Sequence, residues 1–364
     1  MSEPSDDGRG AAGAALPSTD PVDATSAAVD ATASAPVPEP VPQDPGAVAH
    51  AQRRGTRAEF EQFAQDRKAE LEAQLTAKRA QLDAVNERIA ARTGRNLLMA
   101  ILIGVALGGS MLLSLVFVKE LFMLVAVVLI GFTTSELSTA LRAAGRDVPR
   151  IPTVVGGVLV VPAAWYFEGP GQWYGVLGAI ALVSVWRLVE MAVPTARASR
   201  RNLVLDLAAG AFVQAYITLL GTFAVRLTSA DGGQWWTLGF IILVVLVDTG
   251  AYASGLLFGK HPMAPRISPK KTWEGFAGAL LVTLVGGVLI AVLMLGQPWW
   301  VGLVLGGAIV VTATVGDLSE SLIKRDLGVK DMSTWLPGHG GFLDRLDSLF
   351  PSAVIAYAIF LLVA

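Results

Sequence analysis

Apolar residues run almost unbroken through nine stretches of the chain, at about 96–117, 120–137, 151–168, 173–193, 204–225, 235–258, 275–296, 298–318 and 349–364. A helix that crosses a bilayer needs roughly 20 predominantly apolar residues. Each stretch therefore predicts a span, the short last one recruiting Ser348 and its neighbours. The predicted fold class is an all-α polytopic membrane protein of about nine transmembrane helices, with residues 95–364 as its membrane-embedded domain. Upstream the pattern changes. Leu71, Leu75, Leu82, Val85 and Ile89 follow a 4/3 spacing with Lys78 as the one polar interruption, so residues 56–94 predict either a short coiled coil or an amphipathic juxtamembrane helix. Residues 1–55 are rich in Ala, Pro, Ser, Asp and Gly, with aromatics all but absent. Such a segment buries too little apolar surface to offset its ordering entropy and predicts a disordered tail.

Composition agrees with a lipid environment. Of 364 residues, 53% are hydrophobic and only 16% charged, too apolar for an ordinary soluble domain. The net charge of −2 gives no ground for a nucleic-acid partner. With no cysteine, thiolate metal sites and disulfides are excluded, and any metal must use oxygen or histidine ligands. The first apolar run starts far from the N-terminus, so no secretory signal peptide is expected.

The cations orient the spans. With the N-terminus in the cytoplasm beside Arg88, Arg92 and Arg95, alternate loops carry three further groups: Arg142, Arg146 and Arg150; Arg197, Arg200 and Arg201; and Lys260, Arg266, Lys270 and Lys271. The last such loop holds Lys324, Arg325, Lys330 and Arg345. The opposite loops hold Lys119 and Arg226 near their ends, and Trp165, Trp173, Trp235, Trp236, Trp299 and Trp300 cluster at the outer boundary. This predicts an inside N-terminus, an outside C-terminus and two long polar loops facing the cytoplasm.

Those two loops carry the chemistry. If the helix of "VGDLSESLIKR" continues past the bilayer, Asp317, Glu320, Ser321 and Lys324 share one face. Asp317 is then an N-cap, a salt-bridge partner of Lys324 or Arg325, or a metal ligand. In "LPGHGGFLDRLDS", Pro337 with Gly338, Gly340 and Gly341 allows a tight turn whose N–H groups can face an anion. An ordinary re-entrant turn is the plainer reading. His339 could polarise a phosphate oxygen, orient a carboxylate or simply hydrogen bond. Asp344 and Asp347 lie at i and i+3 around Arg345; with Asp317 nearby they would form an oxygen-lined site suited to Mg²⁺. Lys324, Arg325, Lys330 and Arg345 could hold phosphates.

In the other loop, "GKHPMAPRISPKKTWEG", Ser268 before Pro269 predicts a helix start, with Lys270 and Lys271 in its first turn. Cations disfavoured by the helix dipole imply an anionic ligand there, unless they only set topology. Asp248 lies inside the sixth span, where a carboxylate is costly; it serves a metal or ribose site, or hydrogen bonds Tyr252 or Thr249. Arg187 and Glu190, also within a span, are expected to neutralise each other. Metal, basic groups and a glycine turn together are the equipment of phosphoryl or nucleotidyl transfer.

The run Ser321-Leu-Ile-Lys324-Arg325, then Lys330-Asp331, then Leu336-Pro337-Gly-His339-Gly340-Gly341-Phe-Leu-Asp344-Arg345-Leu-Asp347 resembles the signature of the phosphatidate cytidylyltransferases, or CDP-diacylglycerol synthases. "DTGAY" at Asp248–Tyr252 and "SPKKTWEG" at Ser268–Gly275 resemble the same family. The likeness covers roughly Arg95 to Ala364, is sharp from Asp248 onward, and says nothing of the first 93 residues. It implies CMP transfer from CTP to phosphatidic acid, giving CDP-diacylglycerol and pyrophosphate for phospholipid biosynthesis. It also implies a homodimer in the cell membrane, a cytoplasmic-facing active site, Mg²⁺ (or Mn²⁺), K⁺ as a possible second cation, and Asp317 and Asp344 as metal-binding acids. On that reading Asp248 could reach the same metal, and Ser268, Lys270, Lys271, Lys330, Gly340, Gly341 and Arg345 line the nucleotide. Lys324, Arg325, His339, Asp344 and Asp347 sit at the reacting phosphates. A CTP-dependent polyprenol or phytol kinase and an ion-coupled transporter using Asp248 and Asp317 are the competing readings. The first would leave CDP, and the second predicts inverted repeats, of which no convincing one is found.

Overall fold

The computed structural model describes residues 97–192, 202–329, 331–333, 335 and 340–363, with Lys68, Thr76 and Lys78. Lys330, Pro337, Gly338 and His339 lie outside the described residues, as do Arg197, Arg200, Arg201 and the predicted tail. Of the predicted helix 56–94, only Lys68, Thr76 and Lys78 are described, and all three are helical. The chain divides into two units, Met1–Leu75 and Thr76–Ala364, and the membrane-type helices all belong to the second.

Helices occupy all nine predicted stretches. They are α1 (Leu97–Val116), α2 (Lys119–Ala143), α3 (Arg150–Tyr166), α4 (Glu168–Ala192), α5 (Leu203–Val213) leading through a π-helical segment, Gln214–Leu219, into α6 (Leu220–Ser229), α7 (Gly233–Phe258), α8 (Trp273–Leu293), α9 (Trp299–Asp326), the single turn α10 (Leu343–Leu346) and α11 (Leu349–Val363). Among the described residues seven helices are long and apolar enough to cross a membrane, with α5–α6 and α10–α11 each counting once. The apolar part of α1, Gly104–Val116, and α3 are shorter. At 1.5 Å per residue α3 extends about 25 Å, less than a hydrocarbon core of about 30 Å. The protein is an all-helical polytopic membrane protein, with one departure from the all-α expectation.

That departure is a two-stranded antiparallel hairpin, β1 (Pro262–Ala264) and β2 (Ser268–Thr272), between α7 and α8. It replaces the predicted helix start at Ser268. Pro269 fits an extended edge strand, where its missing N–H costs no ladder bond. Thr272, not Ser268, is the N-cap, its hydroxyl accepting from the Gly275 N–H at 3.1 Å. Glu274 fastens the far end by accepting from the Lys260 and His261 amides at 3.1 and 3.2 Å and meeting the His261 ring at 2.5 Å. Lys270 and Lys271 therefore lie on a strand.

Among the described residues two large apolar cores and a small third one, Val160 with Val176 and Ala179, hold the bundle. One joins α2, α3, the α5–α6 region and the polar loop after α9, through Leu137, Val161, Ile217, Met332, Leu343 and Leu346. The other large core joins α7, α8, α9 and α11. Gly302 and Gly306 let α9 lie directly on the α8 backbone; a Cβ on Gly302 would sit 2.6 Å from the Val288 Cα. Such small-residue crossings bring helices close where lipid supplies no hydrophobic drive. This crossing carries the end of β2 against α9.

A second sequence expectation fails within the bundle. Arg187 does not pair with Glu190. It is 1% exposed and binds Asp206 at 2.7 Å and Asp147 at 3.3 Å, while Asp206 also accepts the Asp147 amide. Glu190 instead accepts from Trp186 Nε1 at 2.9 Å. A buried guanidinium needs an equally buried carboxylate, and Asp206 at 2% exposure supplies it.

Candidate active site

α9 runs on to Asp326, well past the apolar stretch, so Asp317, Glu320, Ser321 and Lys324 do share a helix face. Their partners come from other elements. Asp317 forms an ion pair with Lys271 of β2, and not with Lys324 or Arg325. It also accepts a long hydrogen bond from Ser321 at 3.4 Å. Lys271, Lys270, Thr272, Asp248 and Asp317 together line a cavity of about 270 Å³ whose remaining wall, including Val247, Phe276 and Ala313, is largely apolar. Asp248 enters from α7. Among the described residues it bonds neither Tyr252 nor Thr249, and it lies within electrostatic range of Asp317, Lys271 and Arg345.

One turn further along α9 lies a second cluster. Lys324 binds Glu320 at 2.5 Å and Asp344 at 3.0 Å. Glu320 is 1% exposed and the Asp344 side chain 7%, so the lysine is the cation that makes two buried acids tolerable. Asp344 and Asp347, though three residues apart, have separate surroundings. Asp344 Oδ2 accepts from the Gly341 amide at 2.6 Å and lies 3.4 Å from the Met332 amide. Asp347, 8% exposed, accepts from the Ser348 amide at 2.7 Å and lies within electrostatic range of Asp317, Asp248 and Lys271. The acids that line the cavity are thus Asp248 and Asp317, with Asp347 within electrostatic range of both and Asp344 on Lys324. Arg325 is exposed and its Nε reaches the Ile267 carbonyl at 3.5 Å, tying α9 to the hairpin. Arg345 is exposed on α10, and Ser268 pairs with Ala264 in the hairpin.

The glycine turn presents backbone N–H groups to anions, and those anions belong to the chain itself. Its described N–H groups hold carboxylates, not an open anion site. Gly341 donates to Asp344, while Phe342 and Leu343 donate at 2.9 Å to Glu136 of α2. Both glycines are explained by these acids. Gly340 has φ +79°, and a Cβ there would lie 2.6 Å from Asp344 Oδ2; a Cβ on Gly341 would lie 2.8 Å from Glu136 Oε2. Glu136 is absent from the sequence reading. It sits inside the predicted span 120–137, and the cost of an acid in a span, which singles out Asp248, applies to it equally.

The donor set suits a hard cation, since every candidate ligand is a carboxylate oxygen and the chain has no thiol. Among the described residues no three acids or histidines form a ready metal cage.

Comparison with known proteins bears on the same residues. The family described as the cytidylyltransferase family matches residues 98–363. Phosphatidate cytidylyltransferase of Mycobacterium bovis is 40% identical over 273 residues, 74% of this chain and 89% of the relative. That of Mycobacterium leprae is 39% identical over 274 residues, 73% and 88% of the two chains. The Haemophilus influenzae protein of the same name is 44% identical over a shorter stretch of 122 residues, 32% of this chain and 42% of the relative. With its matched region spanning every helix from α2 to α11 and both acid clusters, the chain belongs to the cytidylyltransferase family, among the phosphatidate cytidylyltransferases.

Proposed function

We propose that this nucleotidyltransferase moves CMP from CTP to phosphatidic acid, releasing pyrophosphate and leaving CDP-diacylglycerol in the membrane. The observation that carries the reading is the cavity shared by Lys270, Lys271, Asp248 and Asp317, polar on one wall and apolar on the other, at the end of membrane-type helices. A nucleotide and a lipid phosphate need such a meeting place.

The reaction needs no strong base. The lipid phosphate is already ionised, so its oxygen forms the bond to the α-phosphorus of CTP while the bond to the β-phosphate oxygen breaks. Catalysis is then positioning and charge neutralisation. Lys270, Lys271 and Arg325 hold the triphosphate, and Lys271 exchanges Asp317 for phosphate oxygens. Lys324 keeps Asp344 and Glu320 in place and offers charge to the leaving pyrophosphate. Lys330, His339 and Arg345 extend the phosphate contacts from the same loop. The acids that would hold a divalent cation are Asp317 and Asp248 at the cavity and, once Lys324 turns from it to phosphate, Asp344, with Asp347 behind them. Mg²⁺ or Mn²⁺ there would neutralise phosphate charge as a Lewis acid; K⁺ is a candidate second cation. The site faces the cytoplasm of a cell membrane, with nine spans, the N-terminus inside and a homodimeric assembly. The cation-rich loops on one side support that orientation.

The test is purified protein in detergent with CTP, phosphatidic acid and Mg²⁺, beside Asp317→Asn and Asp344→Asn. Lipid-dependent pyrophosphate together with CDP-diacylglycerol, lost in both folded variants, is the expected result. CDP and a phosphorylated alcohol would instead mark a kinase and overturn the proposal.

A further inference from the structure

Among the described residues Glu136 is the acid farthest in sequence from the residues it binds. Its Oε1 accepts from Ser333 Oγ at 2.5 Å and from the Phe342 amide at 2.9 Å, and its Oε2 accepts from the Leu343 amide at 2.9 Å. It is 1% exposed, so these bonds replace water almost completely. A buried carboxylate is tolerated when hydrogen bonds of this kind satisfy it, and losing one leaves a costly unpaired group. One turn earlier on α2, Phe132 stacks on Phe342 with centroids 4.6 Å apart and meets Trp335 edge-on at 5.5 Å. Below them Leu137, Met332 and Leu343 share one apolar core. One helix face thus grips both ends of the polar loop, Ser333 and Trp335 on one side of the turn, Phe342 and Leu343 on the other.

The gripped residues lead straight into the site. Leu343 begins α10, and Asp344, Arg345 and Asp347 follow within four residues. Asp344 reaches back to Gly341 and across to Lys324. The amides of Gly341, Phe342 and Leu343 are held in succession by Asp344, Glu136 and Glu136, so the angle at which α10 leaves the turn is set by two acids. We infer that Glu136 is a positioning residue for the cytidylyl transfer, fixing the α10 turn on α2 so that Asp344 and Asp347 face α9 in the reacting arrangement. The inference rests on the reaction proposed above. Glu136 does not line the substrate cavity, whose walls come from α7, the β1–β2 hairpin, α8 and α9. Its loss should therefore spare substrate binding and impair turnover.

The test is Glu136→Gln, of nearly the same shape but with an NH₂ in place of one of the two accepting oxygens. In the folded variant kcat should fall by about 10²-fold with the KM for CTP near wild type, since small misplacements of reacting groups cost about that much. Glu136→Asp, shorter by one methylene, should recover part of the loss. Hydrogen exchange should show the Phe342 and Leu343 amides protected in wild type and released in Glu136→Gln, with the spans elsewhere unchanged. A purely structural role would lower thermal stability and leave kcat per folded molecule intact, which overturns the inference. If Glu136→Gln does not fold, Ser333→Ala carries the test: lower kcat with faster exchange at Phe342 supports the inference, and both unchanged overturn it. Wild-type protein that makes no CDP-diacylglycerol sinks the proposed reaction instead, and freely exchanging Phe342 and Leu343 amides in that protein would dismiss the anchoring as well.

Discussion

Lys271 and Asp317 form an ion pair between β2 and α9, and both line the cavity that Asp248 enters. Their side chains retain 26% and 33% exposure, so the pair is wet and contributes little to folding. On the proposed reaction its value is functional: it would park a phosphate-binding cation on a metal-binding acid until substrate separates them. Lys271→Gln should lower kcat/KM by about 10²-fold with little change in thermal unfolding, the scale of removing one electrostatic contact to a developing charge. Steady-state pyrophosphate release checks this. A Lys271→Gln enzyme as active as wild type would assign that lysine to topology alone.

Lys324 bridges Glu320 and Asp344, both nearly excluded from solvent. Lys324→Met leaves two acids facing each other without a cation. Removing one partner from a buried pair costs about 3–5 kcal/mol, and the 17% exposure of Lys324 places the expected loss near the low end. Thermal unfolding in detergent measures it. Adding Glu320→Gln to Lys324→Met should restore part of that stability, and additive effects of the two changes would contradict the coupling.

Arg187 makes a sharper structural contrast. Arg187→Met strands Asp206 in the bundle and should destabilise by about 3–5 kcal/mol. Glu190→Gln should leave the midpoint unchanged, because Glu190 binds Trp186 at an exposed position. Equal destabilisation by both would restore the pairing of Arg187 with Glu190 that sequence spacing implies.

The sequence was readable where one local rule decided the outcome. Apolar runs near bilayer length marked the helices, and the spacing of Asp317, Glu320 and Lys324 placed them on one face of a helix that does continue. It was unreadable where partners are remote. Glu136 sits in "TTSELST", a polar patch in which nothing nearby explains an acid, and its amide partners lie 206 and 207 residues away. Arg187 likewise had a neighbour at helical spacing and found its counterion on another helix. The glycine turn was legible as an anion-binding backbone, yet the identity of the anion depended on which helix packed beneath it.

The hairpin before α8 gives a test of local structure alone. Ser-Pro is a helix-start signal in isolation, but Glu274 closes the β1–β2 hairpin by holding Lys260 and His261, so the chain stays extended until Thr272. If Thr272 is the cap, Thr272→Ala should cost about 1 kcal/mol, the usual penalty for losing a capping hydroxyl. Ser268→Ala should cost almost nothing in stability, since among the described residues its hydroxyl caps no helix. The pair of thermal midpoints distinguishes the two starts. The same placement has a consequence for chemistry: successive residues of an extended strand alternate in direction, so Lys270 and Lys271, though both line the cavity, need not play matching roles. Lys271, facing Asp317, should respond to charge removal as a substrate-site residue. Lys270 is the more exposed of the two, and Lys270→Gln should raise the KM for CTP while leaving kcat close to wild type. Parallel loss of kcat in both lysine variants would mean that the strand rearranges when substrate binds.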